Sequence, residues 1–307
     1  MNLILSKADW QNQRESYREQ VSGWTVPHRE RRFNQIKHPT RDFLFDYYSF
    51  RASLLERWSP GWGTTLLEAS PSDFPGIEGW MTSENGIQLS LENFPAHRMD
   101  SFRWMIQFLK ITLDRAPQYG CYGLHEWAMV YRIDQARHTG VPLRMSPDDL
   151  AAFVESQSLC CTHHDAFRFY TPEARPLNRH DASKANRFNL EQPGCIHVNM
   201  DLYKWAYKFY PWTPSQWILE AFELAMDARL IDMQASPYDL REWKIEPIRI
   251  ETPEGKLEYI ESQRRIHQKG IPLRQKLRDF YVDLLHAVKE KDIGLTQRHD
   301  DTTQKQF

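Results

Sequence analysis

Three short blocks of the sequence bring together side chains that can do acid–base or metal chemistry. They are GLHEW at 123–127, CCTHHD at 160–165 and CIHVNMD at 195–201. Each block stands at the predicted start of a helix, where free backbone N–H groups point toward an approaching anion. Every block contains both histidine and an acid, and simple helix caps do not need histidine. We therefore predict that the three blocks converge on one pocket.

One interpretation of the blocks is a divalent metal site, because imidazole and carboxylate groups are common ligands of transition metals. Three ligand sets compete. The first is the two-histidine, one-carboxylate set of non-haem iron: His163, Asp165 and His197. The second has the order of helical metal phosphohydrolases: His125, His164-Asp165 and Asp201. The third is a zinc set: Cys160 or Cys161, His163, Cys195 and His197. None has the tight spacing of an established motif, so a metal-dependent hydrolase and a non-haem iron oxygenase both stay open.

The other chemical interpretation is hydrolysis of an N-glycosidic bond without a metal. Such a reaction needs a carboxylate that orients water and balances the positive charge developing on the sugar, and a ring surface for the departing base. Three carboxylates of the blocks have aromatic neighbours: Glu126, Asp165 and Asp201. An alkylated purine is cationic, and an aromatic face attracts a cation by ~1 to 2 kcal/mol. The pattern therefore permits an N-glycosylase for alkylated purines.

Composition excludes several classes of protein. The chain has 307 residues with 39 basic and 41 acidic side chains, so it has no basic excess to hold nucleic acid by bulk attraction. No run approaches the ~20 apolar residues that span a bilayer, and the first ten residues do not form a secretory signal. The four cysteines do not form a disulfide framework. We expect a cytoplasmic protein with reduced thiols and no membrane partner.

The elements that must position these blocks are mostly helices. The sequence predicts a predominantly α protein, with a single globular multi-helix domain over 1–292 and a few short strands. Residues 1–38 are expected to form an N-terminal helical extension, 59–95 a long Pro/Gly-rich connector with a strand at 87–91, and 293–307 a disordered tail. Periodicity and caps predict helices over these ranges: 7–21, 40–58, 100–116, 124–136, from 146, 200–209, 215–233, 253–268 and 272–290.

Longer stretches of the chain resemble a known family. They are HPTRDFLF (38–45), GCYGLHEWAMVYR (120–132), HHDAFRFYTPEARPLN (163–178), EQPGCIHVNMDLYKWAYK (191–208), ASPYDL (235–240) and IETPEGKLEY (250–259). Together they resemble a bacterial family, common in actinobacteria, that is usually labelled 3-methyladenine DNA glycosylase. The resemblance runs from about residue 38 to 260. It implies an enzyme that removes an alkylated purine from DNA, or from a related nucleoside or nucleotide.

On the glycosylase hypothesis, the site residues take separate roles. Asp201 is the expected water-orienting carboxylate, with Glu126 or Asp165 as the alternative, and His125 and His197 stand beside them. Stacking of the base is expected from three rings: Trp127, Tyr203 and Trp205. Polar and phosphate contacts are expected from four residues: Asn178, Asn199, Arg175 and Lys204. No cofactor is required, although a divalent metal remains an alternative with the candidate ligands His163, His164, Asp165 and His197.

A third hypothesis needs no catalysis. The polar blocks would then only cap helices, and the chain would be a binding protein without enzymatic activity. The distances between the blocks distinguish this hypothesis from the first two, because catalytic groups must come within hydrogen-bond reach of one substrate. The sequence leaves the oligomeric state open.

Overall fold

The computed structural model describes residues 3–48, 50–133 and 140–303, and helices dominate them. This confirms the predicted, predominantly α class in a single domain. The helices are α1 (Lys7–Phe33), α2 (Phe43–Tyr47), α3 (Ala52–Leu55), α4 (Met99–Asp114), α5 (Leu124–Ala128), α6 (Pro147–Ser156), α7 (His164–Phe167), α8 (Arg187–Leu190), α9 (Ile196–Met200), α10 (Leu202–Tyr207), α11 (Ser215–Gln234) and α12 (Pro253–Thr303). None of these helices has the length and apolar character that a membrane crossing requires.

A small four-stranded sheet stands at one side of the helices. Its strands are β1 (Leu3–Leu5), β2 (Thr64–Leu67), β3 (Trp80–Ser83) and β4 (Gly86–Leu89), in the order β1-β2-β4-β3. The pair β1 and β2 is parallel, and the other two pairs are antiparallel. Strand β4 overlaps the strand predicted at 87–91. The predicted connector at 59–95 is therefore partly ordered as sheet.

Helix α1 is longer than predicted and belongs to the main core. Ser6 caps it by accepting a hydrogen bond from the Asp9 backbone N–H, and the helix continues beyond the predicted end at Val21 to Phe33. Trp10, Tyr17 and Val21 follow one helical stripe and are buried in the larger hydrophobic cluster. Helix α1 is thus packed against the main core through this stripe.

The C-terminal helix also differs from the prediction. Two helices separated at Pro272 were expected, but α12 is continuous through this proline. Burial of Leu273, Leu277 and Tyr281 along one stripe outweighs the hydrogen bond that proline cannot donate. The helix extends to Thr303, through most of the tail expected to be disordered, and the tail's last four residues lie outside the described part of the chain.

Two predicted helices in the first half of the chain are shorter than expected. The segment predicted as one helix at 40–58 forms α2 and α3 instead, separated near Arg51, whose backbone is extended. The helix predicted at 124–136 is represented by α5, which ends at Ala128. Arg132 has a positive φ of 50°, which a helix does not allow. The end of that prediction, 134–136, lies outside the described residues.

The core has two hydrophobic clusters, and α11 contributes to both. Ala228 belongs to the larger cluster, which also takes side chains from α1, α4, α10 and α12. Met233 belongs to the smaller cluster, which surrounds α5 and α6. Between these two positions, α11 carries Arg229 and Asp232, which are fully buried. Charged side chains are therefore buried at the boundary between the two hydrophobic clusters.

Candidate functional site

The three polar blocks meet at this boundary, as predicted. The ring centroids of His125 on α5 and His197 on α9 are 4.4 Å apart. The ring of His163, which caps α7, stacks on His197 with a centroid distance of 5.3 Å. The Nε2 atom of His163 lies 3.4 Å from the Asp201 carboxylate. The site is therefore built from short helices whose first turns face one another.

A first buried cluster joins α5, α9 and α11. His125 Nε2 lies 2.6 Å from Asp232 Oδ1, and the Arg229 Nη1 atom donates to Asp232 Oδ2 at 2.6 Å. The same Nη1 atom donates to Glu126 Oε1 at 2.8 Å, while His197 Nε2 is 3.6 Å from Asp232 Oδ2. The carboxylates of Glu126 and Asp232 therefore balance the charge of the Arg229 guanidinium, and Asp232 also contacts both histidines.

The electrostatics of this cluster separate the two histidines. Burial opposes the charge of His125, but the Asp232 carboxylate raises the pKa of this imidazole to about 9. Burial lowers the pKa of His197 to about 3, although Asp232 opposes the shift. Two neighbouring rings thus hold opposite protonation states at neutral pH: His125 is cationic and His197 is neutral.

A second buried cluster surrounds Asp201. Its carboxylate accepts hydrogen bonds from Tyr48 Oη at 2.8 Å, Lys204 Nζ at 2.8 Å and Arg187 Nη2 at 3.2 Å. His163 Nδ1 accepts from the Ala166 backbone N–H, which leaves its Nε2 to donate to Asp201. Burial alone would raise the pKa of Asp201, but Lys204 and His163 hold it well below its usual range.

The Lys204 ammonium lies between two carboxylates, where a metal ion could otherwise bind. Its ammonium lies 2.8 Å from Asp201 and 3.1 Å from Asp165. A metal ion held by Asp165 and Asp201 would compete with this ammonium. The predicted ligand His164 faces elsewhere, with Nδ1 3.2 Å from the Ala182 carbonyl oxygen. An ion bound by the predicted sets that contain Asp165 would therefore have to displace Lys204.

Two cavities open onto the site, and His197 lines both of them. The first, which we call the aromatic cavity, has a volume of about 160 Å³ and is bounded by Phe43, Tyr47, Phe169, Glu126, Asp165 and Arg229. The second, which we call the thiol cavity, has a volume of about 150 Å³ and is lined by His125 and all four cysteines: Cys121, Cys160, Cys161 and Cys195. The carboxylates and the thiols thus face separate spaces on either side of His197.

The rings predicted to stack on a base are packing residues. Trp127 is fully buried against Phe153 and donates from Nε1 to the Ala235 carbonyl oxygen. Tyr203 and Trp205 are buried in the larger hydrophobic cluster, because their helical stripe faces the core. A different set of rings lines the aromatic cavity: Phe43, Tyr47 and Phe169.

The predicted asparagine contacts are also structural. The Asn199 amide donates to the carbonyl oxygens of Pro193 and Cys195 and accepts from Arg274 Nη2, which uses both ends of the group. Asn178 fixes the backbone of Cys161 by accepting from its N–H and donating to its carbonyl oxygen. Neither amide is therefore available to a ligand in this arrangement.

The remaining predicted residues differ in whether they are exposed, line a cavity or are buried. Arg175 is exposed and donates to the Arg168 carbonyl oxygen. Glu126 and Asp165 line that cavity, whereas Asp201 is 1% exposed and has four partners. Of the three carboxylates considered, Asp201 is thus the least accessible and the two alternatives are the ones that face a cavity.

Sequence reasoning missed several residues of the site. Asp232 and Arg229 are the most important, since they hold the first cluster together. A signal was present: α11 is apolar over most of its surface, and charged residues three apart inside such a helix must be paired when buried. Phe43 and Tyr47, four residues apart on α2, stack at 5.0 Å and form one wall of the aromatic cavity.

No family model matches the chain, and the comparisons with curated proteins and with solved structures give no match either.

Proposed function

We propose that this chain is an N-glycosylase that hydrolyses the bond between a sugar and an alkylated purine, in DNA or in a related nucleoside. The observation that carries the proposal is the aromatic cavity. It combines three rings with two carboxylates, those of Glu126 and Asp165. A cationic heterocycle is recognised by this combination, since both aromatic faces and carboxylates attract positive charge.

The size of the cavity supports a base as its occupant. Its volume of about 160 Å³ is close to the roughly 150 Å³ of an engineered protein cavity that binds benzene. A heterocycle enters such a space, whereas its sugar and phosphate remain at the opening. One exposed cation beside the cavity is suited to phosphate contacts: Arg168, whose Nε lies 3.5 Å from Asp165 Oδ1. Arg168 also lies 4.5 Å from the centroid of the Phe169 ring.

Arg229 lines the same cavity, and its guanidinium carbon lies 3.8 Å from the centroid of the Phe43 ring. Its Nε and Nη2 atoms are buried and have no hydrogen-bond partner among the described residues. The charge of the guanidinium is balanced by Glu126 and Asp232, so its repulsion of a cationic base is reduced. These N–H groups would bind acceptor atoms of the purine and hold the departing base as it becomes neutral.

Asp165 is the carboxylate best placed for the hydrolysis. Burial alone would raise the pKa of Asp165, but Lys204 keeps it below its usual value, so the group is an anion at neutral pH. In the reaction the bond from the sugar to the base breaks and its electron pair neutralises the cationic base. A water molecule bonds to the anomeric carbon and releases a proton to solvent. Asp165 would orient this water and stabilise the positive sugar.

Asp201 takes a positioning role in this proposal. It is fully enclosed by Tyr48, Lys204, Arg187 and His163, and through Lys204 it fixes the position of Asp165. The four cysteines are free thiols, in keeping with an enzyme that works on DNA or nucleosides in the cytoplasm.

Base release is the direct test. The purified chain is incubated with methylated duplex DNA and, separately, with 7-methylguanosine, and the free base is measured by chromatography. We expect release from at least one substrate and a loss of about 100-fold or more in Asp165→Asn, in line with the usual contribution of such a group. Glu173→Gln, which neutralises an exposed acid nearby, is the control and should match the wild type. No release from either substrate by the wild type would refute the proposal.

Binding of the base tests the cavity independently of turnover. Phe43→Leu keeps an apolar side chain but removes the face that stacks on Tyr47, so we expect about tenfold weaker binding of 3-methyladenine in calorimetry. Phe33→Leu is the control, because Phe33 is 88% exposed at the end of α1. Equal affinity of Phe43→Leu and Phe33→Leu for the base would show that the base does not bind in the aromatic cavity.

A further inference from the structure

We propose that His125, His197 and Asp232 form a binding site for one divalent transition-metal ion of the borderline class that includes Zn²⁺ and Fe²⁺. Two imidazoles and one carboxylate are the ligand set of non-haem iron sites, and a closely related set holds catalytic zinc. The three residues come from α5, α9 and α11, so that the fold itself assembles them. The inference does not depend on the glycosylase proposal.

The donor atoms of the three residues lie close to one another. One atom from each residue lies within 4.8 Å of the other two. Ligand bonds of ~2.0 to 2.2 Å place neighbouring donors roughly 3.0 to 3.5 Å apart. The pairs observed here are His125 Nε2 to Asp232 Oδ1 at 2.6 Å and His197 Nε2 to Asp232 Oδ2 at 3.6 Å. The two pairs use different oxygens of Asp232, and their distances lie on either side of the required range. Small side-chain movements admit the ion, which replaces the proton between His125 Nε2 and Asp232, and this proton is released to solvent.

The surroundings hold the ligands in orientations that suit a metal. The second ring nitrogen of His125, Nδ1, lies 3.6 Å from the Cys121 thiol, which keeps Nε2 turned toward Asp232. Arg229 holds the Asp232 carboxylate through Oδ2. In known metal sites, a hydrogen bond from a neighbouring residue to a ligand side chain orients that ligand and raises the affinity of the site for its metal. Because Glu126 balances the charge of Arg229, the Asp232 carboxylate keeps its negative charge for the ion.

The protein leaves part of the coordination sphere open. His197 lines both cavities and His125 lines the thiol cavity, so an ion between the two rings would be reached from these spaces. Three protein ligands with open positions are typical of catalytic metal sites, whereas structural zinc sites use four. The open positions would be filled by water or by a small ligand in either cavity.

A second group with suitable donors is less favourable. His163, Asp165 and Asp201 also have donor atoms within 4.8 Å of one another. The Lys204 ammonium contacts both acids of this group, and the Arg187 guanidinium lies 3.2 Å from Asp201. These two fixed cations repel a divalent ion. The first group has one fixed cation beside its carboxylate, Arg229, and Glu126 also binds that guanidinium. A zinc site built on Cys160 is also disfavoured, because its thiol donates to the Gly120 carbonyl oxygen.

Metal binding to the full chain tests the assignment. Chelator-treated protein is titrated calorimetrically with Zn²⁺ and, without oxygen, with Fe²⁺, and metal content is measured after desalting. We expect about one ion per chain and at least tenfold weaker binding in His197→Asn, since loss of a ligand costs no less than loss of a second contact. His164→Asn is the matched control and should bind like the wild type. Circular dichroism confirms that both variants are folded.

Three outcomes would overturn the inference. They are wild-type protein that retains no ion and gives no heat with either metal, equal affinity in His197→Asn and wild type, and loss of binding in His164→Asn. A Co²⁺ complex gives a further check that does not depend on a variant. Ligation by two histidines and an aspartate predicts no thiolate-to-cobalt charge-transfer band, and the appearance of this band would assign the ion to the cysteines of the thiol cavity instead.

Discussion

The imidazole of His125 and the carboxylate of Asp232 are 107 residues apart in the chain and form a buried hydrogen bond of 2.6 Å. The bond joins α5, in the smaller hydrophobic cluster, to α11, which runs through both clusters. Asp232 also binds Arg229, and Arg229 binds Glu126, so three charged side chains depend directly or indirectly on the Asp232 carboxylate. This carboxylate is therefore expected to be important for stability as well as for chemistry.

Replacement of Asp232 by asparagine tests its structural importance. The variant leaves Arg229 and the His125 cation with too little negative charge in a buried place, and breaking such a network costs about 3 to 5 kcal/mol. We expect the free energy of unfolding, measured with urea, to fall by about that amount. Asp227→Asn on the same helix breaks an exposed pair with Lys269 and should cost about 1 kcal/mol or less. Similar losses in the two variants would contradict the network.

The dependence of stability on acid pH reports on Asp201. Its pKa in the folded chain lies well below the usual 3.8, so its carboxylate contributes stability above about pH 3.8 that is lost as the pH falls toward the folded value. We expect wild-type stability to decrease by up to ~1.4 kcal/mol per pH unit from this group, and Asp201→Asn to show a shallower acid decline. Urea unfolding between about pH 2 and pH 5 measures both slopes, because this range spans the pH at which the loss begins. Parallel slopes would show that Asp201 has no special environment.

The pH profile of base release tests the link between Lys204 and Asp165. Because Lys204 keeps the pKa of Asp165 below 3.8, the acid limb of the wild-type rate should lie below that pH. Lys204→Met removes the ammonium 3.1 Å from the carboxylate, so the acid limb should move to higher pH. Lys110→Met, on the exposed face of α4, should leave the limb in place. An unmoved limb in Lys204→Met would argue against Asp165 as the reacting anion.

A glycine of α12 tests the structural assignment of Asn199. A Cβ atom at Gly270 would lie 2.2 Å from Asn199 Oδ1, which Arg274 also contacts. Alanine is normally better than glycine inside a helix by about 0.5 to 1 kcal/mol, but here the clash should reverse the sign, and Gly270→Ala should lower the melting temperature. Gly23→Ala on α1, where a Cβ meets nothing within 4 Å, should raise it. A stabilising Gly270→Ala would mean that Asn199 is free to move.

Much of the local structure could be read from the sequence. The Ser6 cap, the amphipathic helix α4 and the strand β4 carry signals in neighbouring residues, namely a capping side chain and the spacing of apolar positions. The helix end predicted at Val21 and the break predicted at Pro272 were wrong, because contacts with distant parts of the chain decide both. At both positions burial against the rest of the chain extends a helix that local signals would end.

The sequence by itself determined the helical class and the three blocks of histidine and acid that form the site. Only the tertiary structure decided what each block does. It packed Trp127, Tyr203 and Trp205 into the core, enclosed Asp201 with Lys204 and Tyr48, and brought Asp232 to His125. The physical reason is that a side chain's accessibility and charge depend on its neighbours in space. Those neighbours come from segments up to 153 residues away, as with Tyr48 and Asp201, and no local pattern specifies them.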